Sequence, residues 1–528
     1  MLDVTGTGLT IEAVNRVANE FETISIPDKI MESVRLAHEK VQVWGSEQRP
    51  MYGVNTGFGE MAHVAVPAKF KTELQVNLLR GHAAGGGRSL EEPVIRAIML
   101  ARVNSLAKGH SGVSTETLSL LIELLNSGIH PVIPEQGSLG ASGDLAPLSH
   151  MALSVIGEGE VFRQGRVVPT GEALRALGRP PVELGFKEGI ALVNGTSAMS
   201  GTAAITIARA HRLLNSAVLL SSVMTQCLRG STRAFDARGH ELKGHHGQIL
   251  VAEKLRGLLD GSQLTREHVE LMSAIEQQSV DTVVDTGVYL QSAYSVRCVP
   301  QVLGPVVDTL AFAKGIVETE LNSCNDNPLI FEDAEASFHG GNFHGQYVAA
   351  AADYLAIALT EIGVLAERQV NRLVDPALNG ELPDFLALSD SGLACGLMGA
   401  QYLATSVASE NLDLATPSSV KSLPSNGQNQ DVVSMGLNAA RRCLRLTENV
   451  ATILGVLGAA CLQASAILGP DRLSPAAREW YDALSAVVSP HSEQAPVYEL
   501  LRASRDFHYT GAGADLAARL VGIGALDG

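Results

Sequence analysis

Five stretches with helix-like apolar spacing, at about residues 196–228, 299–324, 346–373, 397–412 and 431–466, constrain this chain more than any other feature. Apolar side chains recurring every three to four positions form a stripe along one helix face. Helices in globular domains usually run ~8–20 residues, and several of these stretches are longer. Long helices bury such stripes most readily by lying side by side, which predicts a bundle of long parallel or antiparallel helices. Composition agrees. Hydrophobic residues make up 46% of the chain and aromatics only 4%. Ala, Leu, Gly and Val must therefore fill the core, which favours closely packed helices over an aromatic-rich β sandwich.

The rest of the chain fits a mainly α fold. Residues 9–45 have a helical pattern with mixed charge. Residues 68–128 suggest two or three helices broken at Gly85-Gly86-Gly87, and Glu158–Pro169 a small hairpin turning at Arg163-Gln164-Gly165. Residues 470–528 suggest shorter helices and a Gly-rich tail. No repeat, low-complexity linker or charge block marks a boundary. The expectation is one continuous unit, divided at most into 1–195 and 196–528.

A net charge of −17 over 528 residues argues against nucleic acid and anionic membranes as partners. The six cysteines, Cys227, Cys298, Cys324, Cys395, Cys443 and Cys461, include no CxxC pair, so neither a disulfide framework nor a zinc pattern is expected. The first residues lack a basic region followed by an apolar one, and Val450–Ala464 is a short apolar run suited to a buried helix. A reducing cytoplasm is the expected setting. His339 and His344, with His240, His245 and His246, lack the spacing and carboxylate partner of a metal site, so no metal is expected.

Residues 137–150, Gly-Ser-Leu-Gly-Ala-Ser-Gly-Asp-Leu-Ala-Pro-Leu-Ser-His, carry unusual chemistry. Gly143 has no Cβ, so its backbone nitrogen can approach the Ala141 carbonyl carbon in a sharp turn. Attack there closes a five-membered ring. Loss of water, including the Ser142 hydroxyl, leaves an exocyclic methylene: an electrophile that no ordinary side chain supplies. Asp144 could handle the protons. The ordinary alternative is a glycine-rich loop capping a helix at Asp144.

Other polar loops are candidates on residue type. Tyr52 sits in Tyr-Gly-Val-Asn-Thr-Gly-Phe-Gly and could act as a base toward a carbon-bound proton. Arg297 can hold a carboxylate bidentately, or form a surface ion pair. The stretches 322–328, 340–345 and 425–431 are rich in short polar residues unsuited to helix interiors, with Asp431 placed to cap the helix that follows. Gly511-Ala-Gly513 follows no strand and is not a dinucleotide loop.

The fourteen residues around Ala141-Ser142-Gly143 resemble the signature of the histidine and aromatic amino-acid ammonia-lyase family. That family's cofactor is the methylidene-imidazolone (MIO) made from Ala-Ser-Gly. Further motifs recur in the family's order from Tyr52 to at least Ser434. The resemblance implies a mainly α, ammonia-lyase/fumarase-like fold with an N-terminal cofactor-bearing domain and a central bundle of long helices. It implies a homotetramer whose sites draw on three chains. It implies that Tyr52, on an inner lid, removes the substrate β-proton, and that Asn194 contacts cofactor and substrate amine. Arg297 in Tyr294-Ser-Val-Arg-Cys would bind the carboxylate, with Tyr294 near the cofactor. Phe343 would pack on the cofactor. Asn429 and Gln430 would order the substrate carboxylate, and Glu410 would lie beside the amine or side chain. An outer lid is expected near 275–292. The related fumarase-type loop, Gly-Ser-Ser-x-Met-Pro, is absent.

Substrate selection in the family falls within Leu79–Gly85. Gly81-His82 here suits a phenol hydroxyl, and Asn429-Gln430-Asp431-Val432-Val433 departs from the Asn-Gln-Glu-Asp-His of histidine lyases. L-tyrosine is the expected substrate. The segments His38-Glu39-Lys40, 285–291 and 424–427 resemble bacterial tyrosine 2,3-aminomutases, which implies β-tyrosine, the (R)-isomer, as product, with leakage to p-coumarate and ammonia. The alternatives are a tyrosine ammonia-lyase, a histidine ammonia-lyase, and a binding protein on an inactive lyase scaffold. A serine hydrolase is disfavoured, because Gly-x-Ser-x-Gly spacing is missing at Ser142.

Overall fold

The five long stretches fold as the helices Ser197–Cys227, Val299–Leu321, Gln346–Val374, Met398–Leu414 and Gly436–Leu468. The fold is mainly α. The computed structural model describes residues 1–278, 283, 285–331, 333, 336–389, 392–492 and 494–524. The outer-lid expectation at 275–292 therefore lies partly outside the described residues.

The last long helix starts at Gly436, later than an Asp431 cap would place it. Met435 holds φ of 52°, which interrupts the helix on its amino side. The Ser434 hydroxyl accepts from the Gly436 N–H at 3.2 Å, so Ser434 serves the first turn in place of Asp431. The helical expectation for 9–45 also divides, into Ile11–Asn19 and Asp28–Ser46. Phe21 has φ of 56°, and Pro27 stands at the second N-cap with extended backbone. Between the two, Ile24–Ser25 pairs in parallel with Leu2–Asp3.

Two compact units are interleaved along the chain. The first comprises Met1–Ala208, Ala313–Tyr354 and Pro417–Leu444, and the second Arg209–Phe312, Leu355–Thr416 and Arg445–Gly528. The division drawn from sequence at 195 falls ahead of the first crossing. The crossings at 208, 312, 354 and 444 each lie inside a long helix, where no composition shift marks them.

In the first unit, helix Glu92–Ala107 is buried at every position from Val94 to Ala107. It packs against Ile11–Asn19, Asp28–Ser46 and Thr115–Asn126. The apolar residues of this helix face all directions, as a central helix requires. The hairpin forms at Glu160–Arg163 and Arg166–Pro169. Gln164 and Gly165, with φ of 51° and 74°, make the left-handed two-residue turn that matches strand twist. Three further helices of this unit, Lys71–His82, Leu145–Leu153 and Glu188–Val193, pack on one another. One end of each brings a site residue into place.

In the second unit, His246–Leu259 packs against Ala237–Lys243 and Pro475–Ser485, and Val497–Tyr509 against Ala512–Val521. Trp480 donates its indole N–H to His508 Nε2 at 2.9 Å. Burial pushes the His508 pKa down to about 4, so the ring stays a neutral acceptor there.

Helices Gln346–Val374 and Gly436–Leu468 are long and apolar enough to cross a membrane by length and composition, but 72% and 83% of their most apolar windows are buried within the protein. Core helices have this character.

Candidate active site

The Ala141-Ser142-Gly143 turn is pressed against a second glycine. Gly143 has φ of 71°, and a Cβ there would lie 2.1 Å from the Gly195 carbonyl oxygen. No side chain fits. The Asp144 N–H donates to that same carbonyl at 2.8 Å. Asp144 does stand at the N-cap of Leu145–Leu153, yet its carboxylate makes no capping bond to that helix. It accepts instead from the Ser138 hydroxyl at 2.7 Å and from the Met199 N–H at 2.8 Å, in the first turn of Ser197–Cys227. Burial pushes the Asp144 pKa up to about 6, against the pull of the Met199 and Ser138 donors. Near neutral pH this carboxyl can therefore take up and return a proton.

The amino ends of four helices border the turn. Besides the two just named, the Gly345 N–H, ahead of Gln346–Val374, donates to the Gly140 carbonyl at 3.1 Å. The Ser434 hydroxyl, ahead of Gly436–Leu468, donates to the same carbonyl at 2.9 Å. Helix amino ends are positive, so this arrangement favours negative charge developing at residues 141–143.

A cavity of about 1090 Å³ opens on the turn. Its lining includes Ala141, Ser142 and Gly143 and, of the other residues singled out from sequence, Tyr52, His82, Asn194, Phe343, Asn429 and Gln430. Asn194 Nδ2 donates to the Ser142 carbonyl at 2.9 Å, and Gln430 Nε2 donates to the Ser142 hydroxyl at 2.8 Å. Asn194 Oδ1 is buried with no hydrogen-bond partner among the described residues. The Tyr52 hydroxyl accepts from the Gly59 N–H at 2.8 Å, and the ring meets Phe58 edge-on with centroids 6.4 Å apart. Gly59, with φ of 56°, is the residue that lets the loop backbone reach back to its own tyrosine.

Tyr294, Arg297 and Glu410 belong to the second unit and do not line this cavity. Arg297 lies over the Tyr294 ring, 4.8 Å from its centroid, and hydrogen-bonds Gln291. Tyr294 is 71% exposed. Glu410 pairs with Arg445 at 3.4 Å near the surface.

Two site residues were missed at sequence level. His339 Nε2 accepts from the Tyr52 N–H at 3.2 Å and so anchors the Tyr52 loop. The sequence raised His339 only among histidines that lack the spacing and carboxylate partner of a metal site, and offered no other role for it. Gly195 follows Asn194 directly, yet nothing in the sequence announces that it lies against Gly143.

A mainly α scaffold holding an Ala-Ser-Gly turn at converging helix ends, with a tyrosine-bearing loop on the same cavity, defines an aromatic amino acid lyase. The family described as aromatic amino acid lyase matches residues 9–486, and the chain belongs to it. Among particular proteins, the chain is 58% identical to a tyrosine 2,3-aminomutase of Chondromyces crocatus over 96% of each sequence. It is 47% identical to an MIO-dependent tyrosine 2,3-aminomutase of Streptomyces globisporus, covering 92% of this chain and 91% of the other. The crystal structure of tyrosine aminomutase from Streptomyces globisporus matches with a TM-score of 0.95 at 45% identity, over 98% of both chains.

Proposed function

We propose that this enzyme is a tyrosine 2,3-aminomutase, converting L-tyrosine to β-tyrosine, the (R)-isomer, through p-coumarate, with some escape of p-coumarate and ammonia. The observation that carries the choice of substrate is the hydrogen bonding of His82. Its Nδ1 lies 2.9 Å from the Leu78 carbonyl oxygen. A carbonyl only accepts, so Nδ1 carries the hydrogen and Nε2 of the neutral ring is a bare acceptor. A phenol O–H is the donor that suits it. A pocket built around such a bond disfavours a ring without the hydroxyl, because the acceptor is then left unpaired. Both aminomutase relatives bear names with the same substrate.

Ala141, Ser142 and Gly143 are assigned as the source of the MIO group, and the residues present fit it. Gly143 leaves no room for a Cβ, Asn194 holds the carbonyl that the ring would keep, and Gln430 holds the hydroxyl that would leave. Once formed, that group supplies an electrophilic methylene for the substrate amine. The side chains do the rest. Arg297 grips the carboxylate with a two-pronged bond, with Asn429 and Gln430 ordering it. The unpartnered Asn194 Oδ1 accepts from the amine, and Glu410 stands beside it. Phe343 packs against the ring system. Tyr52 removes the β-proton. Tyr294, Arg297 and Glu410, off the cavity lining, are assigned to the cavities of neighbouring copies in a homotetramer whose sites each draw on three chains. The reading includes a cytoplasmic setting and no part for a metal, a nucleotide, nucleic acid or a membrane.

Steady-state kinetics with L-tyrosine, L-phenylalanine and L-histidine test the substrate. L-tyrosine should have the highest kcat/KM. His82→Phe should lose roughly 10–100-fold on tyrosine, the cost of one buried hydrogen bond, and gain on phenylalanine. Equal turnover of histidine by the native enzyme would refute tyrosine recognition.

A further inference from the structure

Arg102 is a charged residue in the middle of the buried helix Glu92–Ala107, and it is 0% exposed. Its guanidinium binds the main chain next to the cofactor-forming turn. NH1 donates to the Asn194 carbonyl at 2.9 Å and to Asn325 Oδ1 at 3.3 Å, and NH2 donates to the Ala191 carbonyl at 2.6 Å. Those carbonyls lie at the carboxyl end of Glu188–Val193, where backbone acceptors are left open and a cation is favoured.

Behind the turn the groups are stacked with no slack. Gly195 has φ of 138°, and a Cβ on it would lie 2.3 Å from Asn325 Oδ1 and 2.5 Å from Arg102 NH1. On its other side Gly195 meets Gly143, where a Cβ would come within 2.1 Å of the Gly195 oxygen, 2.4 Å of its carbon and 2.6 Å of its nitrogen. The order is therefore guanidinium and Asn325, then the Gly195 peptide, then Gly143. The Asp144 N–H and Asn194 Nδ2 tie the same segment to residues 142–144 from the side.

We propose that Arg102 is a positioning residue for ring closure at Ala141-Ser142-Gly143: the buried guanidinium, with Asn325, holds residues 191–195 rigidly against Gly143 and so keeps the turn compressed. This rests on the cofactor reading above. Closure forms a bond from the Gly143 nitrogen to the Ala141 carbonyl carbon. The Ala141 oxygen leaves as water with the amide hydrogens of Gly143 and Ser142. The Ser142 hydroxyl leaves as a second water with the Ser142 Cα hydrogen. Neither step needs an oxidant or a co-reactant. Each needs the turn held in a narrow range of geometry, and displacements near 1 Å can cost roughly 100-fold in rate.

Cell-free synthesis, stopped at intervals in denaturant and followed by peptide mass measurement, reads closure as a deficit of two waters on the fragment holding 141–143. The native chain should show the deficit from the earliest times. Arg102→Met should close about tenfold more slowly or worse. Arg102→Lys, which keeps the charge but cannot reach two carbonyls in one plane, should fall between. Melting temperatures of the soluble proteins separate closure from folding, since a merely structural arginine would lower Tm while the folded fraction still closed fully. Asn325→Ala removes the other member of the same backing and should also slow closure, so it decides the matter if the Arg102 variants do not fold. Folded Arg102 variants, or Asn325→Ala, closing as fast as the native chain would overturn the role. Absence of the two-water deficit in the native chain would overturn the cofactor reading itself, and the positioning role with it.

Discussion

Ser142→Ala should give a folded protein whose activity on L-tyrosine is lower by roughly a thousandfold or more, equivalent to about 4 kcal/mol of transition-state stabilisation. The hydroxyl is the oxygen that must leave to create the methylene, and alanine has nothing to eliminate. The structural cost is small by comparison. Ser142 Oγ accepts one described side-chain hydrogen bond, from Gln430 Nε2 at 2.8 Å, and such a bond contributes about 1 kcal/mol to stability. The Gly143–Gly195 contact, the Asp144 bonds and the four helix ends do not involve this oxygen. The variant should therefore melt within a few degrees of the native protein, lack the two-water deficit, and fail in turnover. A variant that turns over normally without the two-water deficit would exclude the electrophile.

Tyr52→Phe should lose activity by about 10²–10⁴-fold, the usual contribution of a positioned acid or base, and should leave cyclisation untouched. The phenylalanine ring keeps the edge-on contact with Phe58, and His339 keeps the Tyr52 backbone N–H as its donor. What disappears is the oxygen that accepts from the Gly59 N–H. Mass measurement should show the two-water deficit, and loss of the β-proton of labelled tyrosine to solvent should stop. Turnover within a few-fold of native, with an unchanged pH profile, would remove Tyr52 from the role of base. The two variants thus fail at different stages, one before the cofactor exists and one after.

The long helices were legible because apolar periodicity is a local signal that survives in one sequence. Their exact starts were less so. Asp431 looked like a cap by residue type, whereas Ser434 takes that place because Met435 interrupts the helix just before Gly436. The break in residues 9–45 was written at Pro27, which a reading of the whole stretch as helical passes over. Most of the cavity was legible through motifs: Tyr52, His82, Asn194, Phe343 and Gln430 line one space although they are far apart in sequence. The hold of His339 on Tyr52 spans 287 positions, and that of Arg102 on the Asn194 carbonyl spans 92. No local pattern encodes such contacts. For Arg102 the available hint was an arginine, one of two with Arg96, inside a mostly apolar helix.

Incubation of the native enzyme with L-tyrosine, followed at early times by chiral chromatography and NMR, decides between isomerisation and release. On the proposed reading Tyr52 removes the proton in either case, and the outcome turns on whether its loop closes over p-coumarate long enough for the amine to add back. The prediction is β-tyrosine from the first time points, with (R) in excess and a smaller amount of p-coumarate and ammonia. p-Coumarate and ammonia alone, with no β-tyrosine at any time, would contradict the aminomutase assignment and make the enzyme a tyrosine ammonia-lyase.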